Sequence, residues 1–139
     1  MSNISVVESK ASSIQKYLKI LKTFQHFPQN KLESDLILKG AVERYLYLLS
    51  QAVIDLAEAL IALKDFRRPT TYSDTFHILH EEEFIDADLT EKLIKMSGFR
   101  NIIAHDYEDL DFGIIYDVLQ NHLQDIEEFL LVIKDKLHS

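Results

Sequence analysis

Within the stretch GFRNIIAHDYEDLD, Gly98 to Asp111, an arginine, a histidine and a tyrosine fall close together. Arginine presents a planar fork of donors to phosphate oxygens and keeps its charge throughout a reaction. Histidine titrates near neutral pH and can give or take a proton. Arg100 and His105 therefore have the chemistry to bind a phosphate and move protons beside it. Leu89, Leu93, Met96 and Ile103 form an apolar helical stripe, and Arg100 interrupts it. At 100° per residue Arg100 lies within roughly 20° of Leu89, on the face that packing needs. His105 projects about 140° from Arg100, so the two converge only if the helix distorts near Ala104 or a second copy faces the first. Asn101 and Asp106 add polar groups. A plainer alternative stays open: Arg100 pairs with a carboxylate such as Glu43 or Asp55, and His105 is a cation at a helix C-terminus.

The elements that must position these residues are helices. With only three glycines and two prolines in 139 residues, long helices are unbroken and a turn-rich β fold is excluded. The periodicity predicts five. The first spans about Ile4 to Phe24, with Val7, Ile14, Leu18 and Leu21 in register and Asn3 or Ser2 as cap. The second spans about Leu32 to Lys64. Its stripe of Leu38, Val42, Tyr45, Leu49, Ala52, Leu56 and Leu63 adjoins Leu46, Val53, Ala57, Leu60 and Ile61, wide enough to be buried on two sides, by the core and either the bundle or a second subunit. The third covers about residues 74–82, capped by Ser73 or Asp74 after the loop DFRRPTTYSD. The fourth opens at Asp86 or Asp88 and runs to about His105. Asp111 caps the fifth, which carries Ile115, Val118, His122, Ile126, Phe129, Ile133 and Leu137. The expected architecture is all-α, an up-and-down bundle in one domain spanning residues 1–139.

Composition narrows the function. The absence of cysteine removes disulfides, thiolate zinc sites and cysteine nucleophiles, and it fits a reducing cytosol, so a cytoplasmic location is expected. No run of about 18 apolar residues is present, and no secretory signal opens the chain, so no membrane association is expected. A net charge of −8 argues against broad, salt-sensitive binding along nucleic acid. Any positive potential must be confined to a small cleft, to which Lys92 and Lys95 would contribute. HILHEEE places His77, His80 and Glu81 at a spacing that a metal could use, though a solvated helix end explains it more simply. Glu81 to Glu83 form an acidic cluster able to meet a basic partner, and His122 fits a hydrogen-bonded core histidine. Gly40, Gly98 and Gly113 are isolated and form no phosphate loop.

The motif Arg100-Asn101-Ile102-Ile103-Ala104-His105-Asp106-Tyr107 resembles the R-N-x-x-x-H-x-Y signature of HEPN ribonucleases. More narrowly, GFRNIIAHDYEDLD resembles the HepT-type toxins of HepT–MntA toxin–antitoxin pairs. AVERYLYLLSQAVIDLAEALIA, TYSDTFHILHEE and IIYDVLQNHLQDIEEFLLVI also sit where that family places such segments. The resemblance implies a HEPN-like helical bundle and a metal-independent endoribonuclease that needs no cofactor. Arg100 and His105 would be its catalytic pair, brought together across a homodimer cleft, with Asn101 and Asp106 supporting them. Tyr107 would receive AMP from a minimal nucleotidyltransferase antitoxin of the MntA type, with which a larger assembly would form. The RNA substrate would be tRNA or mRNA, and the products a 2′,3′-cyclic phosphate and a 5′-hydroxyl. An alternative is a catalytically silent subunit that only binds, or is modified by, the nucleotidyltransferase; another is a structural dimer with the motif as a polar interface network.

Overall fold

The computed structural model describes residues 3–105 and 110–138, which form seven helices among the described residues. They are α1 (Asn3–Lys22), α2 (Gln29–Ser34), α3 (Leu36–Leu63), α4 (Tyr72–Glu81), α5 (Ala87–His105), α6 (Phe112–Asn121) and α7 (Leu123–His138). The all-α bundle stands as expected, but two of the five predicted helices are divided.

The first division is at Asp35. Its Oδ1 accepts from the backbone N–H of Ile37 at 3.1 Å and of Leu38 at 3.2 Å, so it caps α3 and separates it from the short α2. The second is at His122, where the last residues of α6 give way to α7. His122 Nδ1 lies 3.0 Å from Asp125 Oδ2 and Nε2 lies 3.2 Å from Asp117 Oδ2, so the imidazole bridges the two helices. His122 is thus half exposed at a joint, rather than a core histidine on a continuous helix. Caps mark three further helix starts. Asp111 caps α6 and Asp86 accepts from Leu89 N–H, while α4 is capped by Thr71 in place of Ser73 or Asp74.

α3 is the central element, and α1 packs most extensively along it, with α4 and α5 also against it. Val7, Ile14, Leu18 and Leu21 of α1 are buried, as their spacing predicts. Most of both apolar faces of α3 is covered within the chain: Val42, Leu49, Ala52 and Leu56 are buried, and so are Leu46, Val53, Ala57, Leu60 and Ile61, while Leu38, Tyr45 and Leu63 are half-buried. α3 is long and apolar enough to cross a membrane by length and composition, but 56% of its most apolar stretch is buried in the bundle, which marks a core helix. Phe76 of α4 meets Phe129 of α7 edge to face at 6.3 Å and joins those helices. Ser50, fully buried, donates to Leu46 O at 2.8 Å and sits 3.3 Å from Met96 Sδ. Through these contacts α5 is held against α3, and Arg100 is brought to that seam.

Candidate active site

α5 keeps its buried stripe of Leu89, Leu93, Met96 and Ile103, so Arg100 enters the seam between α3, α4 and α5 half-buried. Its Nε donates to Gln51 Oε1 at 2.7 Å, and its Nη1 donates to Asn101 Oδ1 at 3.1 Å. The guanidinium carbon lies 5.4 Å from the ring centre of Tyr47 and 5.3 Å from that of Tyr72. Two aromatic faces and two amide oxygens therefore hold the cation. Among the described residues it makes no ion pair with a carboxylate.

That last fact corrects an expectation. Neither Glu43 nor Asp55 is a direct partner of Arg100. Asp55 Oδ1 accepts from Gln51 Nε2 at 2.9 Å, so the carboxylate stands one residue behind the acceptor. Asp55 Oδ2 in turn faces Lys10 Nζ of α1 at 3.5 Å. Glu43 lines an open cleft of about 440 Å³ with Gly40, Arg44, Tyr47, Ile103 and Ala104. Burial pushes the Glu43 carboxyl above the usual carboxylate range, against the opposing pull of Lys39. Ile103 and Ala104 lie between Arg100 and His105 in sequence, so this cleft borders the segment joining the two.

His105 ends α5 and is exposed, with no hydrogen bond to another described residue. Arg100 enters the seam half-buried, whereas His105 at the end of α5 is exposed. Asn101 is exposed, and its Oδ1 accepts from Arg100 Nη1. Asp106 and Tyr107 lie outside the described residues.

Several residues of the site were not singled out from the sequence. Tyr47 and Gln51 recur at four-residue spacing with Asp55, the carboxylate already considered, and so share one face of an otherwise apolar helix, a signal that was available. Tyr72 carries no local signal, because only the packing of α4 brings it to Arg100. Arg44 lies 5.7 Å from the centre of the same Tyr47 ring and adds a cation to the cleft. Lys92 does not: its Nζ pairs with Asp88 at 2.9 Å and approaches Asp125 at 3.9 Å, so it is turned toward α7.

The other constellations resolve as structure. Arg67 binds Glu81 through Nε at 3.1 Å and Nη2 at 2.7 Å, and His80 Nδ1 lies 2.9 Å from Ile85 O. No three His, Asp or Glu side chains among the described residues gather as a metal would need. A larger groove of about 620 Å³ between α1 and α7 is lined by apolar and charged side chains alike and holds none of the Arg100 network.

Comparison with known proteins adds to this geometry. The family model for "Ribonuclease HepT-like" matches residues 14–133. The chain is 30% identical over 129 residues to the mRNA nuclease HepT of Shewanella oneidensis, covering 93% of this chain and 96% of that one. It is 26% identical over 145 residues to the tRNA nuclease HepT of Aphanizomenon flos-aquae, covering 98% and 99%. Among solved structures, a toxin–antitoxin pair with AMP-PNP superposes with a TM-score of 0.86 at 29% identity, covering 94% of this chain and 98% of that one. The tri-AMPylated Shewanella oneidensis HEPN toxin in complex with MNT antitoxin superposes with a TM-score of 0.85 at 30% identity, covering 94% and 97%.

Proposed function

This chain belongs to the HepT-like ribonuclease family, and from that membership we propose that it is the toxin of a toxin–antitoxin pair, a metal-independent endoribonuclease with Arg100 and His105 as its catalytic pair. The observation that carries this reading is Arg100 itself. A permanent cation sits half-buried between two tyrosines, fixed along one edge by amide oxygens and not neutralised by a carboxylate among the described residues. Such a group is preorganised for an anion.

The reaction follows from the side chains. His105 takes the proton of a ribose 2′-hydroxyl, whose oxygen attacks the adjacent phosphorus. The bond to the 5′-oxygen breaks as that oxygen is protonated. Arg100 faces the non-bridging oxygens, where negative charge grows in the pentacoordinate transition state. A 2′,3′-cyclic phosphate and a 5′-hydroxyl result. Because an ideal helix sets His105 about 140° from Arg100, the site is completed by a second copy, with Arg100 of one facing His105 of the other. The substrate is a tRNA or an mRNA, the classes for which the two curated relatives are named.

Control falls to a minimal nucleotidyltransferase antitoxin, the kind of partner seen with the AMPylated relative. The Tyr107 hydroxyl attacks the α-phosphorus of ATP, pyrophosphate leaves, and AMP remains on the tyrosine. Placed two residues from His105, that group brings bulk and negative charge to the phosphate site and excludes RNA.

The test is cleavage of total RNA and of tRNA by the purified, unmodified protein with chelator present, beside Arg100→Ala and His105→Ala. Cleavage lost in both variants and leaving cyclic phosphate ends supports the nuclease. Binding of the antitoxin without cleavage of either RNA, by a folded dimer, replaces it with a silent binding subunit.

A further inference from the structure

Arg100 is anchored by an amide at a position where a carboxylate would form the stronger bond. The choice has a chemical consequence. A glutamate there would hold the guanidinium in the same place but cancel most of its charge. Gln51 gives the hydrogen bond without the cancellation.

The orientation of that amide is not free. Asp55 is an acceptor only when ionised, so the carboxamide nitrogen of Gln51 must face it. This forces Oε1 toward Arg100, whose Nε–H can only donate. Asp55 in turn faces Lys10, 3.5 Å away, which offsets the carboxylate charge on the side away from Arg100. The relay runs from Lys10 on α1 through Asp55 and Gln51 on α3 to Arg100 on α5. With Nε bound to Gln51 and Nη1 to Asn101, the Nη2 group has no acceptor among the described residues.

We propose that Gln51, with its amide oriented by Asp55, is a positioning residue that fixes Arg100 while leaving it fully charged as a seat for an RNA phosphate. This rests on the ribonuclease reading of Arg100, but its test does not require turnover. Inorganic pyrophosphate is titrated into the full-length protein while the Arg100 Nε–Hε resonance is followed by ¹H–¹⁵N NMR, with thermal melting as the check on folding. Pyrophosphate shifts the wild-type resonance. Gln51→Glu, combined with Asp55→Asn so that an amide still donates to residue 51, keeps the resonance protected from exchange, because the acceptor remains, but needs roughly tenfold more pyrophosphate for the same shift, since an adjacent carboxylate competes for the cation. In RNA cleavage the same variant raises KM about as much, with its melting temperature close to the wild type. Asp55→Asn alone lets the Gln51 amide flip, so the Arg100 Nε–H exchanges faster although Arg100 stays charged. A double-variant titration that overlays the wild type overturns the proposal, as does a wild-type resonance unmoved by pyrophosphate. A wild type that binds pyrophosphate at Arg100 and cleaves no RNA overturns the ribonuclease reading and leaves the Gln51 assignment in place.

Discussion

Arg67 grips Asp74 with both terminal nitrogens, Nη1 to Oδ2 and Nη2 to Oδ1, each at 2.9 Å. Asp74 also accepts from Thr70 N–H at 3.0 Å, and its own N–H donates to Thr71 Oγ1 at 2.9 Å. The fork thus pins the loop before α4 to the first turn of that helix, which begins at Tyr72. One wall of the Arg100 pocket therefore depends on an ion pair at the protein surface.

That pair sets an acid response. The Arg67 hydrogen bonds, then the Thr70 N–H, hold the Asp74 carboxyl at about 2, below its ordinary 3.8. A carboxylate depressed by folding stabilises the fold above its unfolded pKa, and the contribution disappears as pH falls from about 4 through about 2. Titrating the Asp74 carboxyl carbon by NMR should return the low value in the wild type and a clearly higher one in Arg67→Ala, where the Thr70 N–H remains. The pair is exposed, so the accompanying change in stability at neutral pH should be small.

The tyrosine walls should matter in proportion to their cation contacts. Tyr47→Leu and Tyr72→Leu each remove a ring beside Arg100, a loss of about 0.5–1 kcal/mol at a partly exposed site. RNA cleavage should fall roughly two- to fivefold for each by initial-rate assay. An undiminished rate in both variants would mean the rings only pack.

Arg100→Lys should not restore cleavage. Lysine carries the charge but lacks both the Nε–H that meets Gln51 and the planar fork. The expected loss is about a hundredfold or more in kcat, close to that of Arg100→Ala.

Whether the site spans two copies has a direct test. Arg100→Ala and His105→Ala proteins, each inactive, are unfolded together, refolded and assayed. If Arg100 of one copy works with His105 of the other, half of the dimers are mixed and each holds one intact site. About a quarter of wild-type activity should return. No recovery would place both residues in a single protomer's site.

The core should respond to truncation at the α4–α7 contact. Phe129 is fully buried against Phe76, so Phe129→Ala should cost about 3–5 kcal/mol in urea unfolding. Asp35→Ala should cost about 1 kcal/mol through the lost α3 cap.

Much of this was legible in the sequence because periodicity reports burial directly. The α1 stripe and most of both faces of α3 are buried as spaced, and Arg100 on an apolar face marked the seam. The breaks at Asp35 and His122 were not legible. An apolar repeat continues across a one-residue interruption, and Asp35 acts as a cap only once the helix parts there. Nor was the identity of the Arg100 partner. Coulomb's law favours a carboxylate, and two stood nearby on α3, but the register of α3 against α5 presents Gln51 and leaves Asp55 behind it. Lys92 failed as a cleft cation for the same kind of reason, since its direction depends on α7.

The relay that ends at Arg100 begins at Lys10, on the first helix of the chain. Its members are separated by 45 residues between Lys10 and Asp55 and by 49 between Gln51 and Arg100. The posture of one guanidinium is thus set by contacts that no local segment can form alone. A chain in which α5 has coiled but α1 has not docked would carry the motif without the geometry. The Arg100 posture is therefore a property of the closed bundle and not of the motif alone.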